Sequence, residues 1–131
     1  IHRLTLDWAE GDGTENDRGN GSGATWNCAV DSDINDQSKD CTGTTEWDMG
    51  HPNNPELHPW IATPTDTKTI TNSLTGEIEY DVTSDVQAFI DGENINFGWI
   101  VRKTNEGQNG SVDFGTKESS SVPQLVITYQ P

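Results

Sequence analysis

Side-chain oxygens come at alternate positions in one short stretch of the chain. Asp31-x-Asp33-x-Asn35-Asp36 offers the hard donors that a cation such as Ca²⁺ takes in a loop. It is not an EF-hand. Asp36 stands at the sixth position, where Gly would turn the chain, and Thr42 at the twelfth, where a bidentate Glu would close the site. Asp7, Glu10, Asp12, Glu15 and Asp17 form a second acidic loop. Both loops read equally as solvated acidic surface. His51 and His58 are transition-metal donors by type, but in a Pro-rich segment they read better as surface residues.

Carbohydrate chemistry needs a ring that stacks on a sugar and amides or carboxylates that bind its hydroxyls. Trp47 and Trp60 are the candidates, because both sit in polar or Pro-rich stretches, with His58, Asn53 and Asn54 nearby. The competing reading places both rings over the core beneath a long loop. Trp8, Trp26 and Trp99 lie within strand patterns and are expected in the core. There is no Gly-x-Ser-x-Gly elbow. A glycosidase-type carboxylate pair stays open with 22 Asp and Glu available, so a small secreted hydrolase is the third class of function considered.

Cys28 and Cys41 enclose 12 residues. A bridge across such a loop stabilises by about 3 kcal/mol in the chain-entropy description. A disulfide is expected, and with it an extracellular or cell-surface location where such bonds persist. Asn20-Gly21-Ser22 and Asn109-Gly110-Ser111 fit the glycosylation sequon.

The whole chain bounds these readings. Its 131 residues make one domain, 1–131. Seven Lys and Arg against 22 Asp and Glu give a net charge of −15, which repels nucleic acid and anionic membrane surfaces. No apolar run is long enough to insert in a membrane as a spanning helix. Leu, Ile, Val and Phe total only 24 residues, few enough to suggest disorder. Five Trp argue for a small core beneath polar loops, helped by a disulfide, a metal ion or a neighbouring chain. The chain opens at Ile1 inside a strand-like pattern, as expected of a processed chain or a piece of a longer one.

The elements that must position these residues are mostly strands. Leu4, Leu6 and Trp8 alternate with polar residues across 1–8. Five Gly with Asp, Glu and Asn make 10–23 a loop. Strands are expected at 24–29, 68–70, 77–82, 97–103, 111–115 and 124–129, and a short strand or turn at 46–48, while four Pro between 51 and 64 exclude a helix or central strand there. One helix is expected over 84–90, with Val86, Phe89 and Ile90 on one face, a Ser84-x-x-Gln87 capping box, and Gly92 at its end. Asp81 reads as a helix-entry cap. The pattern predicts an all-β antiparallel β-sandwich with one short helix and long loops.

A series of short motifs runs from one end of the chain to the other. It begins with Arg3-Leu4-Thr5 to Trp8-x-Glu10-Gly11, then a Gly-rich loop and Ala24-Thr25-Trp26-Asn27. Tyr80-Asp81-Val82-Thr83, Val86-Gln87-Ala88-Phe89 and Asn96-Phe97-Gly98-Trp99 follow. Val112-x-Phe114, Glu118-Ser119 and Pro123 through Tyr129 complete it. No single motif is specific, but their order resembles the C-terminal portion of the DNRLRE, or disaggregatase-related, family. The resemblance implies a jelly-roll-like, non-catalytic binding module of secreted or surface proteins, found beside polysaccharide-degrading domains or in adhesins. Two features depart from it. The family's N-terminal strands are absent, and the Cys28–Cys41 loop and Pro-rich segment look like insertions. A sandwich short of strands is either a fragment or is completed by strands of another molecule.

The expected function is therefore a non-catalytic extracellular module with a surface, adhesive or polysaccharide-binding role, its partner a polysaccharide or cell-surface glycan. The alternative is a structural subunit, a homo-oligomer or filament completed by strand exchange.

Overall fold

A computed structural model describes residues 1–13, 17, 19–36, 38–42, 47, 58–105, 107 and 109–129. Strand β1 (His2–Arg3), helix α1 (Thr83–Ile90) and strand β2 (Trp99–Ile100) follow one another along the chain. β1 and β2 form a two-stranded antiparallel sheet, with His2 opposite Ile100 and Arg3 opposite Trp99. The Leu4 amide extends the pairing to the Gly98 carbonyl at 2.9 Å.

The other edge of β1 is also occupied. Thr5 N–H donates to the Pro59 carbonyl at 2.8 Å, and Ile61 N–H donates to the Arg3 carbonyl at 3.0 Å. β1 thus runs between β2 and the 59–61 segment, and Leu4 and Trp60 meet across a bridge. Both side chains are buried, together with Pro59. This is the alternation of a half-buried strand, realised because both edges of the strand are filled.

Helix α1 begins one residue earlier than the pattern suggests and has no side-chain cap at Val82. The Ser84–Gln87 capping box does not form; Gln87 Nε2 donates instead to Asp91 Oδ1 at 2.9 Å. Asp81 Oδ1 accepts the Thr83 amide at 2.9 Å, so one open N–H of the first turn is satisfied from outside the helix. Gly92 takes φ +72° at the helix end, the left-handed conformation that favours glycine. Val86 and Phe89 are half-buried, with the Phe89 ring 5.6 Å from that of Trp99, but Ile90 points to solvent.

A second packed region surrounds the disulfide. Cys28 and Cys41 are bonded, with Cα atoms 5.1 Å apart. Gly23 and Asp31 exchange backbone hydrogen bonds at 3.0 and 2.7 Å, and Thr42 N–H donates to the Val30 carbonyl at 2.8 Å. Ala9 joins both sides, donating to Ala29 and accepting from Ala24. A Cβ on Gly23 would lie 2.8 Å from the Gly11 Cα, so only glycine permits these backbones to approach. Cys28, Ala29, Asp31 and Trp47 are buried here.

The expected sandwich is not what forms. Among the described residues there are two short antiparallel strands and one short helix, without a second sheet. Residues 24–29 are a turn held by the disulfide, 68–70, 77–82, 111–115 and 124–129 join no strand ladder among the described residues, and 46 and 48 lie outside those residues. The physical reason is that alternation supplies a face for burial but not a partner. Val112, Phe114, Leu125, Ile127 and Tyr129 accordingly stay exposed. No described helix is long and apolar enough to cross a membrane.

Candidate functional site

The sheet and its helix converge on Asp85. Its Oδ2 accepts the Thr65 hydroxyl at 2.7 Å and the Trp99 indole N–H at 2.8 Å, while Arg3 Nε lies 3.5 Å from Oδ1. One carboxylate therefore ties α1 to β1, β2 and the turn after residue 64. Sequence reasoning missed it. Asp85 sits in the first turn of the helix, where an acid is ordinary, and nothing in the pattern announces three distant donors.

Trp60 lies on the far side of β1. Its ring stacks on His58 at 4.5 Å and 11°, meets His2 edge-on at 6.4 Å, and carries the Arg102 guanidinium 4.5 Å from its centroid. The ring is only 7% exposed. His2 Nδ1 lies 2.8 Å from the Ile61 carbonyl oxygen. Burial, reinforced by the charged N-terminus and Arg102, pushes the His2 imidazole below its usual pKa against the Ile61 hydrogen bond.

These positions change the reading of the sugar platform. Trp60 and Trp47 (4% exposed) are core residues, and the Trp47 indole donates to the Thr25 carbonyl at 2.9 Å. Neither offers a free face. Asn53 and Asn54, the expected hydroxyl-binding amides, lie outside the described residues, as do His51 and Glu15. The rings that do reach solvent are two of those expected in the core. Trp8 is 41% exposed and donates to the Phe97 carbonyl at 3.0 Å; Trp26 is 56% exposed beside Asn27. A strand pattern around a Trp says which way its ring alternates, and the strand at 24–29 did not form.

The acidic loop is closed by its own side chains. Asp31 Oδ1 accepts the Asp33 amide at 3.2 Å, Asp33 Oδ1 accepts the Asn35 amide at 3.0 Å, and Asp36 Oδ1 accepts the Ser38 amide at 2.7 Å. Asn35 Nδ2 donates to Asn20 Oδ1 at 3.3 Å. The two-residue spacing that resembled a calcium loop is here a run of Asx turns, each side chain closing the backbone two residues on. Among the described residues, no group of three or more His, Cys, Asp or Glu is placed to hold a metal ion.

One acidic contact stands apart. Asp31 is 3% exposed, and its Oδ2 accepts the Thr25 hydroxyl at 3.0 Å. The neighbouring Asp40 carboxylate pushes the Asp31 carboxyl above its usual pKa, and burial adds to the shift. Asp40 is held low, chiefly by the Ser32 hydroxyl that donates to its Oδ2. The other oxygen of Asp40 is buried without a hydrogen-bond partner. A proton held between the two carboxylates would satisfy it.

The sequon residues Asn20 and Asn109 are both exposed. Beside the disulfide region an open cleft is lined by Glu10, Gly11, Thr25, Ile34 and Glu118. Lys117 bridges it, with Nζ 2.6 Å from Glu10 and 3.6 Å from Glu118.

No family model, curated protein or solved structure matches the chain. The likeness to DNRLRE modules rests on the order of its short motifs alone.

Proposed function

We propose that the chain is a non-catalytic extracellular module that acts by surface contact, in an adhesive or structural role. The observation that carries this reading is the run of exposed apolar side chains at Val112, Phe114, Val122, Leu125, Val126, Ile127 and Tyr129. Scattered apolar residues on a surface need no explanation, but a sustained run indicates a contact. The Cys28–Cys41 disulfide suits an oxidising environment outside the cell. The charge of −15 keeps the remaining surface from associating without specificity.

Polysaccharide binding is a second form of the same role, favoured by the exposed face of Trp26 next to Asn27. An indole of this kind stacks on a sugar ring while a neighbouring amide reaches its hydroxyls. Affinity electrophoresis through a soluble β-glucan and co-sedimentation with insoluble chitin test it. Retardation or sedimentation that Trp26→Ala abolishes supports the polysaccharide form. Light scattering on the same samples tests the structural form. A chain that binds neither polysaccharide and stays monomeric at every concentration overturns the contact role.

A further inference from the structure

Among the described residues, a strand-like segment and a sheet edge are both without a backbone partner, and the two match. From Arg3 opposite Trp99, and from the Leu4-to-Gly98 hydrogen bond, the alternation of an antiparallel ladder follows. Gly98 and Ile100 turn their backbone groups toward β1, whereas Trp99 and Val101 turn theirs outward. The outward amides and carbonyls of Trp99 and Val101 find no backbone partner among the described residues. Val101 is also exposed.

The segment 122–129 is the counterpart. Leu125, Ile127 and Tyr129 share one face by alternation, and all are exposed, as is Val126 between them. Its backbone makes no hydrogen bond to another described segment. A β-prone run without charge and without pairing is the signature of a strand seeking an edge. Pro123 stands at its start, where a missing N–H costs a strand least.

Charge favours a second copy as the occupant. Residues 119–129 contain no charged side chain, and neither do 95–101. On a chain of net charge −15, these are stretches where two copies can touch without opposing carboxylates. Because one chain bears both the strand and the edge, copies fit head to tail.

We propose that residues 122–129 of one copy add as a strand to the outer edge of β2 in a second copy, deepening the contact role proposed above. The interface is heterologous, so it propagates as a filament unless its rotation closes a ring.

The experiment is light scattering with two complementary variants of the whole chain. Ile127→Lys places a charge on the apolar face of the donor. Val101→Pro removes an outward N–H from the acceptor edge. The unaltered chain is expected to show a mass of about two chains or more that falls on dilution. Each variant alone returns the monomer mass. Mixed together they form a dimer and stop, because the mixture has one working donor and one working edge per pair. A synthetic peptide of residues 121–129 shortens the assemblies of the unaltered chain and serves as the control if Val101→Pro does not fold by circular dichroism.

An unaltered chain that is monomeric throughout overturns the proposal, as does an Ile127→Lys variant that assembles like the parent. So does protection of the 122–129 amides from hydrogen exchange in a monomer, which would mean that the strand closes on its own chain. Polysaccharide binding by such a monomer leaves the contact role standing while strand donation fails.

Discussion

Residues 1–8 and 122–129 have nearly the same pattern and opposite fates. The first sets Leu4, Leu6 and Trp8 on one face between polar residues, the second sets Leu125, Ile127 and Tyr129 on one face with Val126 and Thr128 on the other, and both contain β-prone residues. The first is held on one edge by β2 and on the other by the 59–61 segment, and Leu4 is buried between them. The second has no backbone partner among the described residues, and Tyr129 at its end is 80% exposed. Alternation defines a face that gains from burial, but backbone hydrogen bonds to a neighbour are what make it a strand. A local pattern therefore predicts a need rather than an element.

The sharpest way to break the comparison is to truncate a large side chain in each region. Trp60→Ala removes the ring that covers Leu4, His58 and Arg102 and is expected to cost about 3–5 kcal/mol of stability. Ile127→Ala removes nothing that is packed within one chain and is expected to stay within about 0.5 kcal/mol, measured below the concentration at which copies associate. Urea unfolding followed by tryptophan fluorescence reads both. Equal losses would mean that 122–129 packs on its own chain.

The disulfide should rank next. Cys28→Ser with Cys41→Ser releases the loop that brings 9, 23–32 and 40–42 together, and is expected to cost about 3 kcal/mol. Trp47 should become solvent-accessible in that variant, because its indole is anchored on Thr25 inside the same region. Acrylamide quenching measures it. Trp26, already exposed, should quench as before, and a uniform rise in quenching would show that the two packed regions unfold as one unit.

Asp85→Ala is expected to cost about 2 kcal/mol, because it strands the Trp99 N–H, the Thr65 hydroxyl and Arg3 together. The loss should fall on the helix and on β2, visible as loss of amide protection at 86–90 and 98–100. The 122–129 amides should exchange at their unaltered rate.

The sequence made some of this legible. The disulfide was visible because two cysteines in an acidic, loop-rich chain have few other uses. The helix was visible because Val86 and Phe89 fall at helical spacing and Gly92 ends the run, although Ile90, assigned to the same face, is exposed. Asp81 was legible as a cap because a carboxylate two residues before a helix reaches its first amides. The sandwich was not recoverable, since it required pairing partners for 68–70, 77–82, 111–115 and 124–129 that alternation cannot name. The candidate site was least legible. Trp47 and Trp60 looked exposed from their polar neighbours, yet each is buried by residues distant in sequence. Asp31, Asp33 and Asp36 had the spacing of cation ligands, which is also the spacing of Asx turns, and the turns are what form.

The smallest expected effect concerns pH and again distinguishes the two regions. Asp66 accepts the Asp81 amide and pairs with Lys68 at 2.9 Å, and these hold its carboxyl down at about 2. A carboxyl lower in the folded state than in the unfolded chain stabilises above its ordinary pKa, and that contribution is lost as pH falls toward about 2. Asp31 has the opposite sign. Its carboxyl is raised by the neighbouring Asp40, so its contribution is complete below the ordinary carboxylate value and disappears as pH rises through the raised one. Acidification from neutrality should therefore first strengthen the disulfide region slightly, as a proton settles between Asp31 and Asp40, and then weaken the chain as Asp66 is protonated. Asp31→Asn should remove the first limb and Asp66→Asn should shrink the second, which Asp40 and Asp81, also held low, share, in thermal unfolding followed from neutral to strongly acidic pH. Calcium added at neutral pH tests whether the acidic loop ligates a cation. If the oxygens of Asp33, Asn35 and Asp36 stay committed to their turns and to Asn20, the ion should leave the unfolding temperature unchanged. A rise with calcium that Asp31→Asn removes would mean that the turns open to ligate it. Residues 119–129 carry no carboxylate, so their hydrogen exchange, corrected for the intrinsic pH dependence, should show neither limb.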